Sequence, residues 1–335
     1  MIKRIFLLAV LVLLTVGYVY ANPPTQDLKK TFNWSSMKAG GPVILQNGNK
    51  YIIAWIESSS GKINIAMSTD GFNFSKVKKL EYNTDSRPAL AFFKSKFYIA
   101  WVDTSDVNTA HNRFVYIMTS DDGKNWSKRE KITYGSPYYG GMNSVTVQSY
   151  SGPALAEFDG KLYLTWTSIK PVGKPRNINI ISTKDGLQWK NYKKFDETTK
   201  KTPALASFPS FLALAWKGSD VQCRLNILAS GNGTFEDAEK LTLTEITDSA
   251  PSMVYQVEKE GMYLAWQGKG NKWLNLMRFP YDDTFNANEK REKTIIREEA
   301  CEGGPAIAPV GNKLVIVWTG TDANHSLNVK VLNNY

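Results

Sequence analysis

The sequence predicts an all-β fold, a six-bladed β-propeller of four-stranded blades, and three recurring landmarks predict it. A proline followed by a short apolar run recurs at Pro42, Pro88, Pro153, Pro203, Pro251 and Pro305, with a small residue ahead of it in every copy but the second, where Arg87 stands. Each proline is followed by a tryptophan, at Trp55, Trp101, Trp166, Trp216, Trp266 and Trp318. The spacing is thirteen residues in five copies and fifteen in the fifth, where Glu258-Lys259-Glu260-Gly261 lengthens a turn. An asparagine between apolar residues comes next, at Asn64, Asn179, Asn226, Asn275 and Asn328, with Val115-Tyr116 in its place in the second copy. A period of roughly 45 to 50 residues with four strand-length segments per unit is the signature of blades packed around an axis.

Within a copy the order is strand, tight turn, strand, variable loop, strand, turn, strand. In the third copy Ala154 to Phe158 is the first strand, Asp159-Gly160 the hairpin turn and Leu162 to Trp166 the second strand, followed by Ile178 to Ser182 and Lys190 to Phe195. Second strands such as Tyr51 to Trp55 and Met262 to Trp266 are apolar on both faces, which a strand tolerates only when both are buried. The tryptophans that end them are therefore expected to pack between blades rather than to form a ring of sugar-stacking faces. The last copy supplies only three strands, the third being Leu327 to Val331. Phe32-Asn33-Trp34-Ser35 repeats the fourth-strand start Phe72-Asn73-Phe74-Ser75, so an N-terminal strand is expected to complete the last blade and close the ring. Such closure removes two open sheet edges.

Ahead of the repeats, Met1-Ile2-Lys3-Arg4 precedes an uncharged apolar stretch from Ile5 to Tyr20 and then Ala21. This reads as a secretory signal over residues 1–21, leaving 22–335 as a single propeller domain that is periplasmic or extracellular. An uncleaved anchor is the alternative, because about 16 apolar residues approach the roughly 17 to 25 that span a bilayer. No later segment is apolar enough to cross one, so no membrane contact is expected after cleavage. The formal net charge of +10 falls to +8 when Lys3 and Arg4 leave with the signal, and a field of that sign favours anionic ligands. The lysines are scattered through Lys76 to Lys79, Lys190 to Lys194 and Lys290 to Lys293, which suits solvated outer strands. Nucleic acid would need a basic stripe interleaved with stacking aromatics, so it is not an expected partner. Two histidines exclude a His-rich metal site, and neither metal nor cofactor is expected. Cys223 and Cys301 could form one disulfide in an oxidising compartment; sequence leaves open whether they are within reach.

Between third and fourth strands the copies read Ser68-Thr69-Asp70-Gly71-Phe72-Asn73-Phe74, Thr119-Ser120-Asp121-Asp122-Gly123-Lys124-Asn125-Trp126 and Ser182-Thr183-Lys184-Asp185-Gly186-Leu187-Gln188-Trp189. A fourth degenerates to Ser230-Gly231-Asn232-Gly233-Thr234-Phe235. The second fits the Asp-box pattern S/T-x-D-x-G-x-x-W in full, with Asp121 as its carboxylate. Physically the motif is a turn in which carboxylate and hydroxyl accept from backbone N–H groups and glycine takes positive φ. On these motifs the chain resembles the Asp-box (BNR-repeat) propellers of the sialidase superfamily from about residue 31 to 335. That resemblance implies the fold. The superfamily's enzymes add an Arg-Ile-Pro motif, three arginines for a carboxylate, an acid Asp and a Tyr–Glu nucleophile pair. No Arg-Ile-Pro occurs here, and of the few arginines only Arg87 lies immediately ahead of an innermost strand, so no catalytic residue is assigned.

First-to-second turns are uniformly tight, whereas second-to-third loops and blade-to-blade connections, which share the other rim, vary widely. The longest are Val102 to Arg113, Thr133 to Gly152 and Thr167 to Asn177. Insertions collecting on one face mark a binding face. The ligand is therefore expected over the second and third blades, with Tyr138 and Tyr139 stacking on it and Arg87, Asp103 and Arg113 supplying polar contacts. The small polar residues after Trp216, Trp266 and Trp318 admit two readings, a shallow sugar site on each blade or a turn. Three functions stay open: a non-catalytic, lectin-like protein binding a glycan or glycoconjugate, an exo-acting glycoside hydrolase, and a protein-interaction scaffold. Hydrolysis needs two carboxyls about 5 to 9.5 Å apart. Asp85, Asp103, Asp106, Asp248 and Glu302 lie on rim loops, but no pair is singled out by spacing.

Overall fold

The computed structural model describes residues 27–36, 40–104, 113–135, 144–170, 174, 176–280, 291–333 and 335. The segment read as a secretory signal lies outside them. The chain opens with β1 (Leu28–Ser35). An antiparallel sheet follows of β2 (Val43–Asn47), β3 (Lys50–Ile56), β4 (Lys62–Ser68) and β5 (Ser75–Asn83), and a second of β6 (Ala89–Phe93), β7 (Lys96–Val102), β8 (Val115–Ser120) and β9 (Glu130–Lys131). The short strands β10 (Thr133–Gly135) and β11 (Ser144–Thr146) join the sheet of β12 (Ala154–Phe158), β13 (Lys161–Thr167), β14 (Asn177–Thr183) and β15 (Trp189–Thr198). Another sheet holds β16 (Ala204–Ser207), β17 (Leu212–Lys217), β18 (Arg224–Ser230) and β19 (Glu239–Ile246). The rest is β20 (Ser252–Gln256), β21 (Gly261–Gln267), β22 (Trp273–Pro280), β23 (Glu292–Val310), β24 (Lys313–Gly320) and β25 (Ser326–Leu332).

The arrangement is all-β and propeller-like, with four-stranded blades. Its hydrogen bonding differs from the expected six separate sheets: the described strands fall into five, of four, four, six, four and seven strands. The reason lies in two joints. Strand β23 runs for 19 residues, pairing with β22 as far as Ala300 and with β24 from Cys301 onward, so two repeats share one strand. Tyr134 of β10 pairs in parallel with Trp189 of β15 and draws β10 and β11 into the third repeat's sheet. The N-terminal β1 pairs antiparallel with β25, from Leu28 opposite Val331 to Ser35 opposite Ser326.

The doubly apolar second strands are buried outright. Ile52, Ile53, Ala54 and Trp55 are all 0% exposed, and the other five repeat tryptophans are buried as well. Their far faces are covered by the outer strands, whose lysines lay cations over the rings: Lys76 over Trp55 at 5.5 Å, Lys240 over Trp216 at 5.7 Å, Lys293 over Trp266 at 5.5 Å and Lys29 over Trp318 at 5.7 Å. These four lysines thus pack their stems on aromatics. Each third-strand asparagine donates from Nδ2 to the carbonyl two residues before it, at 3.1 Å for Asn226, 3.0 Å for Asn275 and 2.9 Å for Asn328. This explains the Trp-x-Gly pattern. A Cβ on Gly218, Gly268 or Gly320 would sit 2.9, 2.9 or 2.8 Å from that amide nitrogen. Asp220 and Asp322 accept from the backbone N–H of Arg224 and Ser326, at 3.0 and 2.9 Å. Of the two readings offered for these rims, the turn is what the bonds serve.

The third-to-fourth turns hold the hydrogen bonds expected of them, in a shifted frame. In the first repeat Asp70 Oδ1 accepts from the N–H of Phe72 (2.9 Å) and Asn73 (2.7 Å), and Ser68 Oγ accepts from Gly71 (3.1 Å). In the second repeat the same positions are Ser120, Asp122 and Gly123, not Thr119 and Asp121. Asp122 Oδ1 accepts from Lys124 and Asn125, both at 2.8 Å, while Asp121 only faces Lys96 across 3.2 Å at the surface. The bonding frame is therefore Ser/Thr-x-Asp-Gly, which Thr183, Asp185 and Gly186 also satisfy. Asn232 replaces the acid in the fourth repeat. The N–H groups of Asn125 and Lys124 hold the Asp122 carboxyl well below the usual range, and those of Gln188 and Leu187 hold Asp185 at about 2.

Two outcomes follow from this packing. Removing residues 22–36 should lower the melting temperature by at least about 4 °C in thermal unfolding, since Phe32 is buried and Trp34 stacks on Trp55 at 5.1 Å. Asp122→Ala should lower it too, with Asp121→Ala within about 1 °C of the parent. Because the folded Asp122 carboxyl is depressed, its contribution is present above the unfolded pKa near about 3.9 and is lost as pH falls below it. The gap between parent and Asp122→Ala should narrow as pH is lowered from about 5 toward 2.

Candidate functional site

The residue before each repeat proline faces the axis. Five of these are small, Gly41, Gly152, Thr202, Ala250 and Gly304, and the sixth is Arg87. Its guanidinium fills the space the others leave. Nε donates to Gly40 O (3.1 Å), Nη1 to Pro251 O (3.3 Å), and Nη2 to the carbonyls of Gly303 (3.5 Å), Gly304 (2.6 Å) and Pro305 (3.1 Å). A Cβ on Gly41 would stand 2.8 Å from Nη2, so glycine is required where φ is also +64°. Burial pushes the Arg87 guanidinium down to about 10, and carbonyls distant in sequence are its partners. Cys301 lies beside it, its thiol raised to about 12 by burial, and both cysteines are free thiols.

Four residues before the proline, a second position repeats: Thr84, Ser149, Thr199 and Thr247, all buried. Each hydroxyl folds the connection back on itself. Thr247 Oγ1 accepts from Ser249 N (3.1 Å), Thr199 Oγ1 from Lys201 N (3.1 Å) and Thr84 Oγ1 from Ser86 N (3.3 Å), while Ser149 Oγ donates to Ser151 O (2.6 Å). The next residue is thereby turned out to the rim, giving Asp85, Tyr150, Lys200 and Asp248, all exposed.

Asp85, Tyr150 and Lys200 border a cavity of about 220 Å³, lined also by Arg113, Lys201 and Thr202 among others. Arg113 grips Asp85 with two bonds of 2.7 Å and also donates to Ser149 O and Tyr150 O, at 3.0 and 2.8 Å. Burial opposes ionisation of Asp85, but Arg113 outweighs it and holds the carboxyl below its ordinary value. Tyr150 is 41% exposed. The Arg176 guanidinium stacks 3.3 Å from its ring centroid and that of Arg113 lies 5.9 Å away. A second cavity of about 350 Å³ adjoins, sharing Lys201, Ser249 and Gly303 and adding Asp248, Lys272 and Glu302.

Of the residues singled out in the sequence, Arg113 lies in the cavity. Arg87 is spent on the axis. Asp103 is buried and bonded to Arg129, whose guanidinium sits 4.5 Å from the rings of both Tyr82 and Tyr116, so it anchors packing. Tyr138 and Tyr139 lie outside the described residues. The cavity reaches beyond the second and third repeats to the fourth and fifth through Lys200, Lys201 and Ser249. Those were missed, although Ser/Thr-x-x-x-Pro, readable at Thr84, Ser149, Thr199 and Thr247, marks the connections that hold them. No group of three or more potential metal ligands occurs among the described residues.

No family model matches the chain, and no curated protein matches it in sequence. Solved structures do match in fold. The GH93 α-L-arabinofuranosidase of Fusarium graminearum, in complex with arabinobiose, has a TM-score of 0.64 at 12% identity, covering 90% of this chain and 98% of that one. Trypanosoma rangeli sialidase, in complex with the inhibitor DANA, has a TM-score of 0.64 at 14% identity, covering 91% of this chain and 59% of the sialidase. The chain thus spans about three fifths of that enzyme's length. The fold is sialidase-like, shared with glycoside hydrolase propellers.

Arg87→Met keeps the stem and removes every donor, leaving buried carbonyls from several repeats unpaired. It should cost on the order of 3 kcal/mol or more, measured by denaturant unfolding, because each hydrogen bond to a charged group contributes about 1.5 to 3 kcal/mol.

Proposed function

We propose that this chain is an exported, non-catalytic carbohydrate-binding protein, a six-bladed Asp-box (BNR-repeat) propeller whose ring is closed by β1. The strand that β23 lends to both the fifth and sixth repeats, the pairing of β1 with β25 and the Ser/Thr-x-Asp-Gly turns support the blade count, closure and repeat type. Export rests on the signal-like residues 1–21.

The observation that carries the binding reading is Tyr150, an exposed aromatic on the wall of a polar rim cavity, with Arg176 stacked on its ring. Such a ring packs on the apolar face of a pyranose while Arg113, Thr202 and Ser249 offer hydrogen bonds. Tyr138 and Tyr139, on the loop that precedes Tyr150, would extend the stacking surface. The chemistry of the carboxyls favours binding over hydrolysis. A general acid needs a raised pKa, whereas Asp85 is held down by Arg113, and among the described residues the other carboxyls with a perturbed pKa, such as Asp70, Asp122, Asp220 and Asp322, move down too.

A glycan array combined with a panel of fluorogenic glycosides tests the reading on the protein from residue 22 onward. Binding without turnover is expected; turnover of any glycoside would establish the hydrolase alternative, and failure to bind any glycan would favour the scaffold. Tyr150→Ala should weaken the bound glycan at least about tenfold by titration calorimetry, with little change in melting temperature, since one stacked ring contributes about 1 to 3 kcal/mol.

A further inference from the structure

Two cations of the rim cavities are held in ion pairs. Arg113 is neutralised by Asp85 and Lys272 by Glu302, each at 2.7 Å. Lysines of the outer strands also have acids, as in Lys79 with Glu57 at 2.6 Å. Among the described residues no carboxylate comes within the 4.0 Å ion-pair distance of Lys200, Lys201 or Lys217. Lys201 is half-buried and lies where the two rim cavities meet, being part of the wall of both. Burial, then the like charge of Lys217, makes its protonated form costly, and Asp248 offsets this only in smaller part. An ammonium in that position gains more from an anion than a fully solvated one, because its own hydration is already partly lost.

We propose that the rim site takes an acidic oligosaccharide, with Lys201 holding a carboxylate or sulfate of the sugar and Lys200 and Lys217 supporting it. The proposal rests on the carbohydrate reading above and adds the ligand's charge. Thr202 and Ser249 line the first cavity together with Lys201 and would bond the sugar hydroxyls, and Tyr150 lies on the same wall. The acids around the site set the charge density. The neutral Asp85–Arg113 pair stands on one side and the neutral Glu302–Lys272 pair, with Asp248, on the other, so net positive potential is confined to a single patch too small to match a densely charged polymer. The class that fits is a chain whose anionic groups are separated by sugar rings and hydroxyls.

The test is titration calorimetry at low and moderate salt with three probes: oligogalacturonate for carboxylate, chondroitin sulfate oligosaccharide for sulfate together with carboxylate, and a neutral cello-oligosaccharide. The parent protein should prefer one acidic probe to the neutral one by at least about tenfold, and comparison of the two acidic probes shows which anion is read. Lys201→Gln should erase that preference and reduce the salt dependence, while the melting temperature stays within about 2 °C. If Lys201→Gln melts early, Lys201→Arg, which keeps the charge, must retain the preference. A parent that binds only the neutral probe, in a manner sensitive to Tyr150→Ala, overturns the inference and leaves the carbohydrate reading standing. Acidic-probe affinity unchanged in Lys201→Gln also overturns it and points to the outer lysines. Binding of no probe, with a blank glycan array, defeats both.

Discussion

The constraint on which the rest of this structure depends is the filling of its axis. Innermost strands that converge on an axis bring their leading carbonyls together, and buried carbonyls without donors are costly. One guanidinium answers several of them at once, from Gly40, Pro251, Gly303, Gly304 and Pro305. The small residues before the other prolines follow from this, since only one large side chain fits. A planar cation with five donors suits the task better than lysine, whose three donors radiate from one point.

The same geometry sets the site above it. Once the proline and the residue before it are fixed at the axis, the connection leading to them must double back, and a buried hydroxyl four residues upstream does this in four repeats. What projects from each such turn is free to vary, and it does: Asp85, Tyr150, Lys200 and Asp248. The scaffold is repetitive and the chemistry is not. Function on this rim is therefore concentrated in single residues that interrupt a pattern.

Much of the fold was legible because it is periodic. The prolines, tryptophans and asparagines locate first, second and third strands, and each has a local reason that the bonds make plain, such as the asparagine amide that excludes a Cβ at Gly218. Less legible were features that depend on how repeats meet. That β23 would run unbroken between two repeats has no mark in its composition, because the strand simply continues through Gly303 and Gly304. The turn frame was misread at Asp121 because two adjacent aspartates satisfy the same pattern and only hydrogen bonds tell them apart. Arg87 was singled out correctly as unusual, but for a ligand, since a sequence cannot show that the space facing it is lined with carbonyls. Lys201 escaped notice among so many lysines; what distinguishes it is a half-buried place in the wall of both rim cavities.

The Arg87 plug also separates the cavities on its two sides. Beyond Arg87 the channel is lined by one aliphatic side chain from each repeat, Ile44, Leu90, Leu155, Leu205, Met253 and Ile307, and widens into a cavity of about 480 Å³ on the side of the tight turns. A solute on the loop side meets a wall of charge and hydroxyls, and one on the turn side meets a mouth of mixed polarity leading to the aliphatic side chains, with the Arg87 cation between them. The two surfaces therefore present different chemistry, one polar and charged, the other opening on the aliphatic side chains of the innermost strands.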